Sequence, residues 1–200
     1  MENINVKKMQ DRLEKYLEHD RFLHTQGVMY TATSLAMCHG CDIQKAMIAG
    51  LLHDCAKCIP TSKKLKLCKK HGIELSSFEM KNESLLHAKV GVYIAKKKYN
   101  ITDKEILGAI RYHTTGKPDM TQLEKIIYIA DYIEPGRFKA VNLPLIRKTA
   151  FQDLDETMYL ILRDTLSYLN GTSNTLDDMT EKAYEYYRKL HQQRKGGTKV

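Results

Sequence analysis

The chain has no apolar run long enough to cross a membrane. Its longest stretches, such as Ala46 to Leu52 and Leu160 to Leu162, fall far short of the roughly 20 residues a bilayer-spanning helix needs. The opening Met-Glu-Asn-Ile-Asn-Val-Lys-Lys lacks the apolar core of a signal peptide. Few segments alternate apolar and polar residues as a half-buried strand does, and no internal repeat is present. There is no aromatic-rich strand pattern for RNA and no recognisable pair of DNA-reading helices, which makes nucleic acid an unlikely partner. These absences predict a cytoplasmic protein with no membrane partner.

What is present is one domain's worth of material: 200 residues, 42% hydrophobic, with a net charge of +8. Apolar residues recur at helical spacing nearly everywhere, so the predicted fold is all-α, a single helical bundle over residues 1–200. Its core spans about 20–193, and 194–200 form a frayed tail. Gly40 closes a helix begun near Arg21, Asp42 caps the next, Pro60 follows its end, and Thr61 opens a helix that stops at Gly72. Thr102 to Glu105 and Thr121 to Glu124 each match a capping box. Further helices are expected over Leu85 to Tyr99, Ile106 to His113, Asp155 to Asn170 and about Leu176 to Gln193. The last places Ala183, Tyr186, Tyr187 and Leu190 on one side. The lysine clusters at 57–70, 96–98 and 188–199 favour anionic partners such as polyphosphates.

Five cysteines include two CxxC pairs, Cys38/Cys41 and Cys55/Cys58. The pattern approaches a four-thiolate zinc site. If Asp42 to Asp54 is helical, however, the inner cysteines stand about 20 Å apart, and one zinc with bonds near 2.3 Å cannot collect both pairs. The cysteines, Cys68 included, are therefore read as reduced thiols.

The most informative residues are polar ones set among apolar helix positions. His53 and Asp54 end the run Ala46 to Leu52, His24 lies in the segment Arg21 to His39, and Asp131 interrupts Ile126 to Ile133. Buried without compensation, each would cost several kcal/mol, about 2–7 for a neutral polar group. A metal ion compensates all four, and a shell of His24, His53, Asp54 and Asp131 suits iron, manganese, zinc or magnesium. The alternative is a buried hydrogen-bonded network in which two carboxylates compete for few donors.

The order His24, His53-Asp54, Asp131 resembles the HD superfamily of metal-dependent phosphohydrolases. His53-Asp54-Cys55-Ala56-Lys57, Ile110 to Gly116 and Ile129 to Arg137 are similar, more narrowly, to the YqeK family of symmetrical bis(5′-nucleosyl)-tetraphosphatases. That resemblance implies hydrolysis of diadenosine tetraphosphate to two ADP by a metal-activated water, with iron as the first choice of metal. It makes Asp54, Lys57 and His113 catalytic. Arg21, His24, Lys57, His87, His113, Thr114, Tyr132, Arg137, Thr172, Ser173 and Asn174 would contact the nucleotide, and a homodimer is allowed. Lys57 is expected on the helical face of Asp54 if that helix continues, and Pro135-Gly136 should turn the chain back so that Arg137 can grip phosphate oxygens. Residue chemistry alone supports only metal-assisted hydrolysis of a phosphate ester or anhydride. Two other readings stay open: an HD nucleotidase acting on monophosphates, and a nucleotide-binding regulator without turnover.

Overall fold

The structure, a computed structural model, describes residues 5–170 and 177–196. Among these residues there are eleven α-helices and no strand. They are α1 (Val6–Glu14), α2 (His19–His39), α3 (Ile43–Leu52), α4 (Thr61–His71), α5 (Ser77–Lys81), α6 (Leu86–Tyr99), α7 (Lys104–Tyr112), α8 (Gln122–Ile133), α9 (Leu143–Ala150), α10 (Leu154–Asn170) and α11 (Asp178–Gly196). A single 3-10 turn, Glu83–Leu85, leads into α6. No described helix is long and apolar enough to cross a membrane.

The boundaries follow local chemistry. Gly40 and Gly72 take φ of 66° and 63° after α2 and α4, the left-handed conformation that closes a helix. Asp42 accepts the Lys45 N–H and starts α3, and the Thr121/Glu124 capping box starts α8. The expected box at Thr102 is not formed. Asp103, one residue later, is the cap, its carboxylate accepting the N–H groups of both Glu105 and Ile106, because a carboxylate attracts amide protons more strongly than a hydroxyl. A box at Ser76/Glu79 starts α5 instead.

The core also begins earlier and the last helix ends later than the sequence reading has them. Met9, Leu13 and Leu17 are buried, so α1 contributes to the core ahead of residue 20. At the other end α11 runs to Gly196, with Arg194 bonded to Asp153 and Asp155. Ala183 and Tyr187 are buried and Tyr186 and Leu190 pack against the core, so the expected apolar side of α11 is present.

Helix α8 is the hydrophobic axis, with Ile126, Ile127, Ile129 and Ala130 fully enclosed. It packs against α2, α3, α7 and α10, and α2 lies along α3 at very close range. A Cβ on Gly50 would come within 2.9 Å of the Met29 Cα. This contact brings the middle of α2, carrying His24 near its start, against the end of α3, carrying His53.

Candidate metal centre and adjoining cavity

Helix α3 stops at Leu52, and residues 53–58 form successive turns, with Cys55 N–H on Leu52 O and Lys57 N–H on Asp54 O. The cause is local. His53 donates Nδ1–H to the Gly50 carbonyl at 2.7 Å, the acceptor that Asp54 N–H would need to continue the helix. Lys57 is therefore presented by a turn rather than by the helical face of Asp54. It still lies near enough for its charge to disfavour protonation of His87.

The same device recurs twice. His87 faces the Ser84 carbonyl through Nδ1 and His113 faces the Ile110 carbonyl at 2.8 Å. Each of the three rings thus spends its Nδ1–H on the backbone and turns Nε2 inward. His24 reaches the same arrangement from α2, with Nδ1 3.0 Å from Glu134 Oε1. Its Nε2 lies 3.1 Å from Asp131 Oδ1 and 4.0 Å from Asp54 Oδ2.

Three buried atoms at this convergence, His24 Nε2, His53 Nε2 and Asp54 Oδ1, make no well-aligned hydrogen bond, although His24 Nε2 stands 3.1 Å from Asp131 Oδ1 and Asp54 Oδ1 stands 3.1 Å from His87 Nε2. Buried polar atoms are seldom left so, and three together mark a place for a cation. The ligand atoms of His24, His53 and Asp131 lie within 4.8 Å of one another, as do those of His53, Asp54 and His113. The two groups share His53, and between them they hold the four predicted ligands together with His113. Among the described residues no such group contains a cysteine. All five cysteines are free thiols, and Cys38 and Cys55 point to backbone carbonyls of Phe151 and Gly91.

Electrostatics agree with a cation. Burial opposes ionisation of Asp54, but His53, His113 and His87 outweigh it and hold the carboxyl well below its usual range. Asp131 is likewise lowered, burial being overcome by His24, His53, His113 and Arg137. Burial pulls His53 down to about 4, so its imidazole is neutral at pH 7. His87 and His113 face each other with Nε2 atoms 3.0 Å apart, near the Thr114 hydroxyl. Two lone pairs repel at that distance, so one proton must lie between them. Burial lowers His87; at His113 burial is outweighed by Asp54 and the value rises.

Beside the centre opens a cavity of about 510 Å³ lined by His113, Thr114, Asp131, Tyr132, Arg137 and Phe138, among others. Arg137 follows the expected turn, its N–H on Glu134 O, and its guanidinium holds Asp131 through Nη2 to Oδ1 at 2.7 Å. Arg21 is turned inward, Nη1 standing 2.9 Å from Asp54 Oδ2. The structure thus gathers Arg21, His24, His53, Asp54, His87, His113, Thr114, Asp131, Tyr132 and Arg137, with Lys57 at the edge. Thr172, Ser173 and Asn174 lie outside the described residues. The sequence reading missed Glu134, although a carboxylate just past the end of α8 in Ile133-Glu134-Pro135-Gly136 was a visible signal, and it missed Phe138 and Lys139 of the cavity wall.

The HD domain model matches residues 21–136, which include all four predicted ligands. A Bacillus subtilis protein named symmetrical bis(5′-nucleosyl)-tetraphosphatase is 40% identical over 78% of this chain and 83% of its own length. A Staphylococcus aureus protein of the same name is 35% identical over 92% and 95%. A crystal structure from Clostridium acetobutylicum, described as a predicted HD superfamily hydrolase involved in NAD metabolism, is 41% identical and superposes with a TM-score of 0.88 over 93% of this chain and 98% of that one. The HD match and the histidine-aspartate cluster together imply dependence on a divalent metal. The chain belongs to the HD-domain family and, within it, to the symmetrical bis(5′-nucleosyl)-tetraphosphatases.

Proposed function

We propose that this chain hydrolyses diadenosine tetraphosphate at its centre, giving two ADP. The observation that carries the chemistry is the convergence of His24 Nε2, His53 Nε2 and Asp54 Oδ1, buried without well-aligned hydrogen bonds, beside a cavity with Arg137 on its wall. The names of the relatives supply the substrate. His24, His53, Asp54 and Asp131 would hold the metal, which supplies a Lewis acid able to polarise a phosphoryl oxygen and acidify an attacking water. Iron is our first choice, because two imidazoles and two carboxylates without a thiolate suit it; manganese, zinc and magnesium follow.

The protein's own groups do the rest. Arg137 can divide its fork between Asp131 and a phosphate oxygen, which anchors the reacting phosphate beside the ligands. Lys57 adds positive charge on the His87 side, where negative charge spreads in phosphoryl transfer. His113, carrying the shared proton, is placed to protonate the departing diphosphate, with Thr114 fixing its direction. Tyr132 and Arg21 border the nucleotide, and His87 serves as the partner that keeps the His113 proton in place. Water adds to one central phosphorus, the bridging bond between the two central phosphates breaks, and the leaving oxygen takes the proton from His113. We assign this activity to one domain acting in the cytoplasm, a setting that suits five reduced thiols.

Chromatography of the products tests the reading. Diadenosine tetraphosphate should yield ADP alone, with label from heavy-oxygen water in one of each pair of ADP molecules. His113→Ala should lose most of its rate while keeping its metal. ATP with AMP would refute symmetrical cleavage, and release of phosphate from monophosphates alone would favour a nucleotidase.

A further inference from the structure

A second cavity, also of about 510 Å³, lies between the link from α1 to α2, the turns after α3, helix α4 and the end of α6. It shares no lining residue with the cavity beside the metal centre. Its most enclosed walls are Leu17, Cys55 and Ile94, 7%, 7% and 5% exposed, and the half-buried Ile59, Leu67 and Tyr99 continue them outward. Burial pushes the Tyr99 hydroxyl up to about 12, so it carries no charge at pH 7. Small-molecule sites have this character: roughly 300–1,000 Å³, mostly apolar, with a few polar groups that fix orientation.

The charge along this lining is of one sign. Lys63, Lys66, Lys70 and Lys98 line the cavity, all exposed, and no Asp or Glu does. The first three follow one another at spacings of three and four residues on α4, which sets like charges side by side on one face and works against the helix. No acidic residue in α4 offsets them. Among the described residues Lys63, Lys66 and Lys70 make no ion pair, and the Lys98 ammonium stands over the Tyr16 ring, 5.3 Å from its centre. Lysine stems extend apolar surface while their ammoniums stay in water, so the cavity offers an apolar interior with cations at its opening. Its complement is an alkyl body with one anionic end. The lining has no Asn, Gln, Ser, Thr or Arg to read a base edge or to grip a phosphate in two places, which argues against a nucleotide. We infer that this cavity binds a fatty carboxylate, its chain against Leu17, Cys55 and Ile94 and its head among the four lysines.

Calorimetric titration of the full chain with decanoate, octanoate and decanol tests this. Saturable binding of one decanoate per chain is expected. Each methylene removed should weaken binding by about fourfold, which separates octanoate from decanoate, and decanol, with the chain but no charge, should bind about tenfold more weakly. Cys58→Phe, which fills the cavity from its half-buried wall, should abolish binding. Lys66→Glu with Lys70→Glu changes only exposed positions and should weaken decanoate about tenfold at unchanged helix content. Absence of saturable decanoate binding overturns the inference, as does equal affinity in the double glutamate variant or in folded Cys58→Phe. Decanol bound as tightly as decanoate overturns the anionic head.

Discussion

Glu134 holds His24 from behind: its Oε1 lies 3.0 Å from His24 Nδ1 while its Oε2 accepts the Gly136 N–H at 2.6 Å. One carboxylate therefore fixes the ring of a proposed ligand on α2 and the turn that delivers Arg137. Its room comes from Gly27, where a Cβ would stand 2.6 Å from Glu134 Oε2. Partners of this kind set ring orientation and ligand basicity, and losing one costs about 10–100-fold in metal affinity. Glu134→Gln is expected to weaken metal binding by that factor in a chelator competition, and Gly27→Ala to do the same by displacing the carboxylate. Unchanged affinity in both variants would show that His24 needs no support.

Arg137 is the group whose loss should separate substrate binding from metal binding. It is 43% exposed at the side chain and bonded to Asp131 on one side only of its fork. Hydrogen bonds to charged groups contribute roughly 1.5–3 kcal/mol, or about 10–100-fold. Arg137→Ala should lower kcat/KM by about that much with metal content retained, and Arg137→Lys should recover only part. Full activity in the alanine variant would remove Arg137 from the phosphate site.

The close approach of α2 and α3 at Gly50 predicts a stability effect without any polar group. A methyl on Gly50 has no space against the Met29 backbone, 2.9 Å from Cα, and backbone cannot yield as a side chain can. Overpacking of this sort costs about 1–3 kcal/mol. Gly50→Ala should lower the midpoint of thermal unfolding by several degrees and loosen the metal as the two helices part. A midpoint equal to that of the natural protein would contradict this packing.

Asp153 ties the two C-terminal helices together and sets an acid limit. Burial opposes its ionisation, but the Glu156 N–H, Arg194 and the Asp155 N–H outweigh burial and hold its carboxyl below the usual range. A carboxyl lower in the folded than in the unfolded chain contributes stability above the unfolded value, about 3.9, and loses it as pH falls through the folded value. The pair with Arg194 is half-exposed, so screening limits its part to about 0.2–1 kcal/mol. Asp153→Asn should be less stable by roughly that amount at pH 7, and the difference should shrink as pH falls below about 4 and through the folded value. A difference that grows in acid would reverse the sign and exclude this role.

Much of the molecule was determined by its sequence. Helical periodicity required an all-α fold, the glycines at 40 and 72 and the caps at Asp42 and Thr121 located helix ends, and the polar residues His24, His53, Asp54 and Asp131 declared themselves by interrupting apolar runs. These features are local, and local chemistry is written residue by residue. The end of α3, where His53 takes the Gly50 carbonyl and puts Lys57 on a turn, and the cap at Asp103 are local choices that apolar periodicity does not reveal. The tertiary structure decided what depends on neighbours far along the chain. It drew α1 into the core and paired His87 with His113 and Glu134 with His24 across separations of 26 and 110 residues. Such pairings follow from which faces α2, α6, α7 and α8 bury together, and that choice is made by packing of the whole core rather than by any segment alone.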